Sequence, residues 1–176
     1  IPFSKHMHMV AAPANALFQS LEPRGQLQAI DLETAEHFGA GRIQDFTWKQ
    51  LLDGYACAVC GRCTDSCPAH ISGKVLSPMH VVENIKDYLL EHGNQLKEGI
   101  DPSEENPLIG ETVSEEAIWD CVSCGACMQE CPVVVEHVPT IMDMRRHLVL
   151  EEAKVPDSAM DALLSMEQRG SPWRGT

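Results

Sequence analysis

The feature that most constrains this chain is a cysteine pattern that occurs twice. All eight cysteines stand in two runs, residues 57–68 and 121–132, and each run reads C-x2-C-x2-C-x3-C-P. The second run begins 64 residues after the first. Glycine follows the second cysteine of each run, and proline follows the fourth. Because every cysteine is present in both copies, the pattern predicts two ligand sites rather than isolated thiols.

The spacing within each run suits a cubane iron–sulfur cluster. Two-residue gaps let a tight loop wrap three corners of a cubane while backbone N–H groups point at the sulfurs. The same spacing occurs in bacterial two-cluster ferredoxins, in which the fourth cysteine ligates the other cluster. We therefore predict two [4Fe–4S] clusters with crossed ligands. Cluster 1 is assigned to Cys57, Cys60, Cys63 and Cys131, and cluster 2 to Cys121, Cys124, Cys127 and Cys67.

Three other uses of the cysteines are weighed against clusters. One is a catalytic thiol protein, which a cysteine that alkylates in the cluster-loaded form would reveal. A zinc-stabilised protein-interaction module without a redox role is the main alternative, but thiolate-rich zinc sites usually use two separated C-x2-C pairs. Disulfides are disfavoured because the cysteines bunch into two short runs and no signal peptide is recognised before them. The histidines, including His6 and His8, are not expected to be ligands, since eight cysteines already complete two four-coordinate sets.

Charge and the remaining motifs argue against several functions. A formal net charge of −13 disfavours a nucleic-acid partner, because phosphate binding needs clustered Lys and Arg. Residues 39–44, GAGRIQ, begin like a dinucleotide fingerprint, but Gln44 stands where the third glycine belongs and no βαβ unit surrounds them. No nucleophile–base set or carboxylate pair suggests bond chemistry. We therefore expect no catalytic residue and no substrate-converting site in this chain.

Helix signals predict an all-α fold. Thr47 can cap a helix over residues 48–56, which leads into the first cysteine run. Ser77 and Pro78 open a second helix, which is expected to end at Gly93. The aliphatic run 132–138 is the only β-like stretch, and it is too short to seed a sheet. Three more helices are predicted, from Thr112 or Ser114 to about Asp120, from Pro139 to about Lys154, and from a cap at Asp157 to Gly170.

Three segments are predicted along the chain. Residues 1–30 are interpreted as an apolar juxtamembrane or interfacial lead-in, residues 31–170 as the α-helical two-cluster domain, and residues 171–176 as a tail or a linker to a missing domain. Lys5 and Pro13 interrupt the lead-in, so it cannot be a bilayer-spanning helix of about 20 residues. Its large apolar side chains are costly to leave in water and favour an interface. They are Phe3, Met7, Met9, Val10, Leu17 and Phe18.

With helices leading into two such runs, the chain resembles a group of α-helical ferredoxin domains. These are the domains of the fumarate reductase and succinate dehydrogenase iron–sulfur subunits and of the C-type subunit of heterodisulfide reductase. Residues 45–68 look closest to the heterodisulfide-reductase-related group. In that group the domain often follows a cytochrome-b-like membrane segment similar to the nitrate reductase gamma subunit, and residues 1–8 look like the end of such a segment.

The resemblance implies the electron-transfer module of a membrane-associated oxidoreductase complex. Such a module relays single electrons between a flavin- or dithiol-type partner and a quinone or haem pool. It implies a flavoprotein or a Cys-Cys-Gly-domain subunit on one side and a cytochrome-b-like membrane segment or subunit on the other. It also implies a location on the cytoplasmic side of the cell membrane. The Cys-Cys-Gly domain of relatives is absent from this sequence, and residues 166–173 look like the junction that precedes it.

Overall fold

The fold is all-α, as the helix signals predict. The computed structural model describes residues 6–23, 26–35 and 37–173. Within these ranges no β-strand forms, and one isolated bridge joins Ile109 to Val113. The helices of the described ranges are α1 (His8–Leu17), α2 (Trp48–Ala56), α3 (Arg62–Asp65), α4 (Pro68–Ile71), α5 (Pro78–Lys97), α6 (Glu115–Asp120), α7 (Ala126–Glu130), α8 (His137–Leu150) and α9 (Asp157–Arg169).

Side-chain caps set the beginnings of three helices where the sequence predicts them. The Thr47 hydroxyl accepts a hydrogen bond from the Gln50 amide at 3.2 Å, and the Gln50 side chain accepts one from the Thr47 amide at 2.8 Å. Ser77 and Ser114 cap α5 and α6 by accepting from the amide three residues later. These bonds satisfy N–H groups that have no partner within the helix. As a result, α2 and α6 deliver the chain directly to the first cysteine of each run.

The predicted end of α5 at Gly93 is wrong. The helix continues through Gly93 to Lys97. A single glycine in a helix interior costs about 1 kcal/mol of stability. This cost is too small to end α5, which buries one face against the core. The chain turns instead at Gly99, which has a φ of 78° and whose amide bonds to the Leu96 carbonyl at 3.1 Å. Glycine in this left-handed conformation is the usual helix stop.

The bounds of α8 also differ from the prediction. The helix begins at His137, two residues before Pro139, because the first turn needs no hydrogen bond from the Pro139 nitrogen. It ends at Leu150 rather than near Lys154, and the Lys154 amide then bonds to the Leu148 carbonyl at 2.8 Å. In α9 the cap residue is Pro156, so Asp157 is the first helical residue rather than the cap, and the helix ends at Gly170 as predicted.

The core lies between two similar helix pairs. The pair α2 and α5 belongs to the first cysteine run, and the pair α6 and α8 to the second. Helices α5 and α8 also pack against each other. Few large aromatic residues take part, so aliphatic side chains fill the space between the pairs. The largest fully buried ones are Ile43, Leu76, Leu108, Ile118, Ile141, Met144 and Leu148.

Part of the predicted lead-in segment packs on the helical domain through a buried polar contact. Asn15 of α1 donates to the Asp53 carboxylate of α2 at 2.8 Å and to the Val133 carbonyl at 3.0 Å. Lys49 pairs with Asp53 at 2.8 Å. Burial raises the pKa of the Asp53 carboxyl, and the charge of Lys49 offsets part of that rise. Phe3 and Lys5 of the lead-in lie outside the described residues.

The glycines of residues 39–44 serve packing. Gly39 has a φ of 78°, and an added Cβ there would lie 2.5 Å from the His147 amide nitrogen and closer still to the Asp143 carbonyl oxygen. At Gly41 an added Cβ would overlap the His147 ring. The Ala40 amide donates to the Asp143 carbonyl at 2.9 Å. This segment therefore lies directly against α8.

We predict that Gly39→Ala destabilises the protein and that Gly93→Ala does not. Alanine at residue 39 would be strained at positive φ and would clash with the backbone of α8, at a cost of at least about 2 kcal/mol. Gly93 lies inside α5 with nothing within 4 Å of an added Cβ, so alanine there should stabilise by about 0.5–1 kcal/mol.

The measurement is thermal unfolding of the cluster-loaded protein followed by circular dichroism. Each kcal/mol corresponds to about 2–4 °C for a chain of this size. Gly39→Ala should therefore lower the midpoint by at least about 4 °C, while Gly93→Ala raises it slightly. Equal midpoints for the two variants would contradict the packing described for residues 39–41.

Candidate metal centre

The two cysteine runs fold in the same way up to their third cysteine. In each run a helix ends at the first cysteine, a short loop carries the second, and a new helix carries the third. That helix is α3 for Cys63 and α7 for Cys127, and both of these cysteines are buried. The sequence repeat is thus also a structural repeat.

Left-handed backbone conformations shape both loops. Gly61 and Gly125 have φ values of 82° and 75°. Each loop also holds one residue other than glycine at positive φ, namely Val59 with a φ of 51° and Ser123 with a φ of 54°. The sequence did not predict these two conformations, because neither valine nor serine favours positive φ. The only available signal was that they occupy the same place in the two repeats.

These conformations direct amide groups at sulfur. The Ser123 amide donates to the Cys121 sulfur at 3.4 Å. At the equivalent place in the first run, the Val59 amide donates a hydrogen bond to Cys57, and this bond acts to lower the pKa of Cys57. N–H···S bonds stabilise a thiolate and tune the potential of a metal bound to it. The positive φ of Val59 and Ser123 thus places their amides against cysteine sulfurs. Backbone strain of this kind is commonly found at functional sites.

The two runs meet through α3 and α7, which pack against each other. Beside this contact lies a cavity whose wall contains four thiols. Three come from the second run, and the fourth is Cys67 of the first run. The rest of the wall is largely apolar. The lining residues are Cys67, Pro68, Leu76, Pro78, Cys121, Val122, Cys124, Gly125, Cys127, Val138 and Ile141.

The other four cysteines also influence one another. Burial raises the pKa of Cys57, and negative charge on Cys131 or Cys60 would raise it further. Burial raises the pKa of Cys63 to about 11, with smaller effects from Cys57 and Cys131. The Cys131 sulfur accepts a hydrogen bond from the Val135 amide at 3.3 Å. Cys131 of the second run is therefore close to the sulfurs of the first.

The two sets of thiols are neighbours. Burial raises the pKa of Cys127 to about 12, and negative charge on Cys121, Cys63 or Cys67 would act in the same direction. In the metal-free protein the buried thiols Cys63 and Cys127 are thus neutral at pH 7. Iron bound by these two cysteines would displace their protons, since only the thiolate is a ligand.

The same cysteine of each run reaches the surface. The second cysteines, Cys60 and Cys124, are exposed, whereas Cys63, Cys67 and Cys127 are buried. Exposed apolar side chains lie between the first and second cysteines of each run, with Val59 at 43% and Val122 at 67% exposure. Cys57 and Cys131 are half-buried and Cys121 is buried. The thiols on the second-run side are therefore enclosed except at Cys124, whereas those on the first-run side are more open.

The donor set fits a four-iron cluster. Four soft thiols around an apolar cavity, with amides aimed at the sulfurs, are the ligands and surroundings that [4Fe–4S] clusters use. Among residues 6–23, 26–35 and 37–173, no three His, Cys, Asp or Glu side chains converge as they would around a single metal ion.

Fold and site together define a helical protein with two adjoining thiol-rich sites. Residues 56–135 match the family model of the 4Fe–4S dicluster domain. The chain thus binds two [4Fe–4S] clusters and is an electron-transfer iron–sulfur module, as the cysteine pattern predicts. The dicluster match decides against the zinc-stabilised alternative.

Two curated relatives are similar to almost the whole chain, and a third is similar to most of it. A probable iron-sulfur-binding oxidoreductase, FadF, of Bacillus subtilis (strain 168) is 42% identical over 98% of this chain and 29% of its own length. An EtfAB:quinone oxidoreductase of Syntrophomonas wolfei subsp. wolfei is 38% identical over 98% of this chain and 27% of its own length. A probable membrane-anchored ferredoxin of Chromohalobacter salexigens is 34% identical over 83% of this chain and 24% of its own length.

The chain spans less than a third of the length of each of these relatives. No solved structure matches the chain. In the part of the chain that the structure describes, no helix is both long enough and apolar enough to cross a bilayer.

We predict that the backbone of Val59, and not its side chain, is needed for the first cluster. Val59→Gly keeps the amide that bonds to Cys57 and suits positive φ, so both clusters should be retained and the thermal midpoint should not fall. Val59→Pro removes the amide hydrogen and fixes φ near −65°, so one cluster should be lost.

Iron and sulfide per chain, with the visible spectrum after anaerobic purification, provide the measurement. Val59→Gly is the matched control, since it removes the side chain alone. Full iron content in Val59→Pro would show that the Val59 amide does not matter to the site.

Proposed function

We propose that this module relays single electrons between a flavin- or dithiol-type protein partner and a membrane quinone or haem pool, through two crosswise-ligated clusters. The observation that carries the proposal is the cavity in which Cys67 of the first run joins the three leading cysteines of the second. Two adjoining sets of thiols, each with one fully exposed cysteine, suit an electron path with one entry and one exit.

The clusters supply one-electron redox chemistry when bound. The chain's own residues do the rest. Burial of Cys63, Cys67, Cys121 and Cys127 keeps water from half of the eight proposed sulfur ligands. The amides of Ser123 and Val135 donate to cysteine sulfurs and so spread the negative charge. Because the second cysteine of each run is exposed, a docked partner could approach the cluster closely at that cysteine.

The helical geometry of the first run supports crossed ligation. Cys63 lies in α3, and the Cys67 amide bonds to the Thr64 carbonyl at 3.1 Å, so the turn continues to Cys67. Four residues of helical rise displace Cys67 by about 6 Å along the axis from Cys63. The contact of α3 with α7 then brings Cys67 towards the second run.

We predict that Cys67→Ser damages the cluster that the second run nucleates. Cluster-resolved EPR of the reduced protein is the measurement, and Cys60→Ser and Cys124→Ser identify which signal belongs to which run. Cys67→Ser should alter the same signal as Cys124→Ser, and Cys131→Ser the same signal as Cys60→Ser. Iron should fall from about eight towards about four per chain in each case.

The opposite pairing of signals would mean that each run binds its own cluster. In that outcome Cys67→Ser would change the Cys60→Ser signal and spare the Cys124→Ser signal. The two-cluster relay would survive such a result, and only the crossed assignment would be lost.

Membrane association is the second part of the proposal. Helix α1 packs on α2 with Ala11 and Asn15 buried, and its other face is apolar and exposed. Phe18 also stacks edge-on against exposed Trp48 of α2, with ring centroids 5.1 Å apart. A relative that is similar to 83% of this chain carries the name membrane-anchored ferredoxin. The exposed apolar side chains of α1 and the residue after it are Met9, Val10, Leu17 and Phe18, between 53% and 77% exposed.

We predict that replacing these four residues with glutamine lowers binding to vesicles severalfold. Flotation of the cluster-loaded chain with zwitterionic phosphatidylcholine vesicles is the measurement, because a chain of net charge −13 is repelled by anionic lipid. The matched control replaces four exposed apolar residues of α9, namely Met160, Leu163, Leu164 and Met166. Equal flotation of the two variants would remove α1 as the membrane-facing surface.

The finer assignments rest on the family resemblance and on the names of relatives. An electron-transfer-flavoprotein partner is supported by the relative named EtfAB:quinone oxidoreductase. A Cys-Cys-Gly-domain subunit, a cytochrome-b-like membrane segment, the link to heterodisulfide reductase and the cytoplasmic side of the membrane remain part of this proposal. The net negative charge of this chain would suit a basic docking face on the protein partner.

A further inference from the structure

Arg145 of α8 is held at the point where α6 delivers the chain to the second cysteine run. Its Nε and Nη2 atoms donate to the Ile118 carbonyl at 2.9 and 2.7 Å. Nη2 also donates to the Trp119 carbonyl at 2.9 Å and to the Cys121 carbonyl. The guanidinium lies 5.2 Å from the centre of the Trp119 ring. These carbonyls belong to the end of α6 and to the first cysteine of the run.

Such an arrangement fixes the backbone of Cys121. The last carbonyls of a helix have no partner within the helix, and the helix end carries partial negative charge. A planar guanidinium can satisfy several of them at once, which an ammonium cannot do with the same geometry. Because Cys121 directly follows α6, holding these carbonyls also holds the Cys121 sulfur in place.

The charge of Arg145 is not neutralised by a carboxylate partner. Within the described ranges, its remaining donor contact is to the Met142 sulfur at 3.8 Å, and no acidic side chain forms an ion pair with it. Asp120, whose charge also acts on Arg145, is paired with Lys74 at 3.5 Å and accepts from the Val75 amide. Burial lowers the pKa of Arg145, and the neighbouring Cys121 opposes that shift. A half-buried positive charge thus stands beside a cluster ligand.

The first cysteine run has different electrostatic surroundings. The corresponding helices α2 and α5 meet at Gly54 and the stem of Lys86, whose ammonium is paired with Asp87 at 3.1 Å. Negative charge on Glu83 acts on Cys57 and disfavours its thiolate. The buried Asp53, four residues before Cys57, is paired with Lys49. The surroundings of Cys57 therefore include more acidic groups than those of Cys121.

We propose that Arg145 is a positioning residue that makes the cluster held by Cys121, Cys124 and Cys127 the first of the two to be reduced. Reduction adds one negative charge to a cluster, and a fixed positive charge nearby stabilises the reduced form. The electron comes from an added reductant such as dithionite, and no proton or ligand needs to move. The inference rests on the two-cluster relay and holds whether the fourth ligand is Cys67 or Cys131.

The test is an EPR-monitored potentiometric titration of the cluster-loaded chain. Cys60→Ser and Cys124→Ser assign the two signals. In the unsubstituted chain the second-run signal should appear at the higher potential. Arg145→Gln should lower that potential so that the equilibrium constant for its reduction falls at least threefold, about 28 mV for a one-electron couple. The first-run potential should stay unchanged.

Arg146→Gln is the matched control. Arg146 is the next residue along α8, but its guanidinium pairs with Asp143 at 2.8 Å and donates to the Gln28 carbonyl at 2.7 Å. Arg146→Gln changes the net charge of the chain by the same amount as Arg145→Gln, and it should leave both potentials unchanged. Arg145→Lys retains the charge and should keep the second-run potential close to the original value.

Several results would overturn the proposal. These are an unchanged second-run potential in Arg145→Gln, equal shifts of both potentials, or a shift in Arg145→Lys as large as that in Arg145→Gln. If Arg145→Gln cannot hold the second-run cluster, Arg145→Lys decides. Retained iron at the original potential supports a role for the charge, whereas lost iron or a lowered potential assigns Arg145 a purely structural role. Failure of the relay itself would differ from all of these, because no reducible cluster signal would then be found.

Discussion

The contact between α3 and α7 is the interaction on which the metal centre depends. Each of these short helices carries the third cysteine of its run, and their packing brings together thiols that lie about sixty residues apart in sequence. Two short helices of four and five residues would be marginal on their own. Helix α3 packs against α5, and α7 packs against α8. Clusters bound by the thiols would hold the two short helices further. Folding and metal binding are coupled in such a site.

Two buried polar contacts tie the framework helices to the metal-binding loops. Asn15 holds α1 against Asp53 and against the carbonyl groups that follow Cys131. Arg145 holds α8 against the end of α6 and the backbone of Cys121. In both cases a side chain from a packing helix satisfies main-chain carbonyls next to a ligand. A displacement of either helix would therefore move the backbone beside a predicted cluster ligand.

The two halves of the module are alike in backbone but not in charge. Both loops use positive φ at the same two places, and both direct an amide at the sulfur of the first cysteine. The groups around them differ, with a carboxylate network near Cys57 and a guanidinium near Cys121. A repeated scaffold gives two similar clusters, and unequal electrostatics can give them unequal potentials. Similar, adjacent clusters favour electron transfer between them, and unequal potentials determine which cluster is reduced first.

The sequence alone determined the cluster type and the helical class, and it predicts the eight cysteine ligands. Cysteine spacing is a local property, and the caps Thr47, Ser77 and Ser114 act within one turn, so both can be read without tertiary contacts. Only the tertiary structure decided where α5 and α8 end, because burial of a helix face outweighs a single glycine and Pro139 loses nothing in a first turn. The positive φ of Val59 and Ser123, and the contact of Gly39 with α8, also depend on what surrounds each residue. The proximity of Cys67 to the second run and the direction of Arg145 arise from helix packing between distant segments, which residue types and spacing do not encode locally.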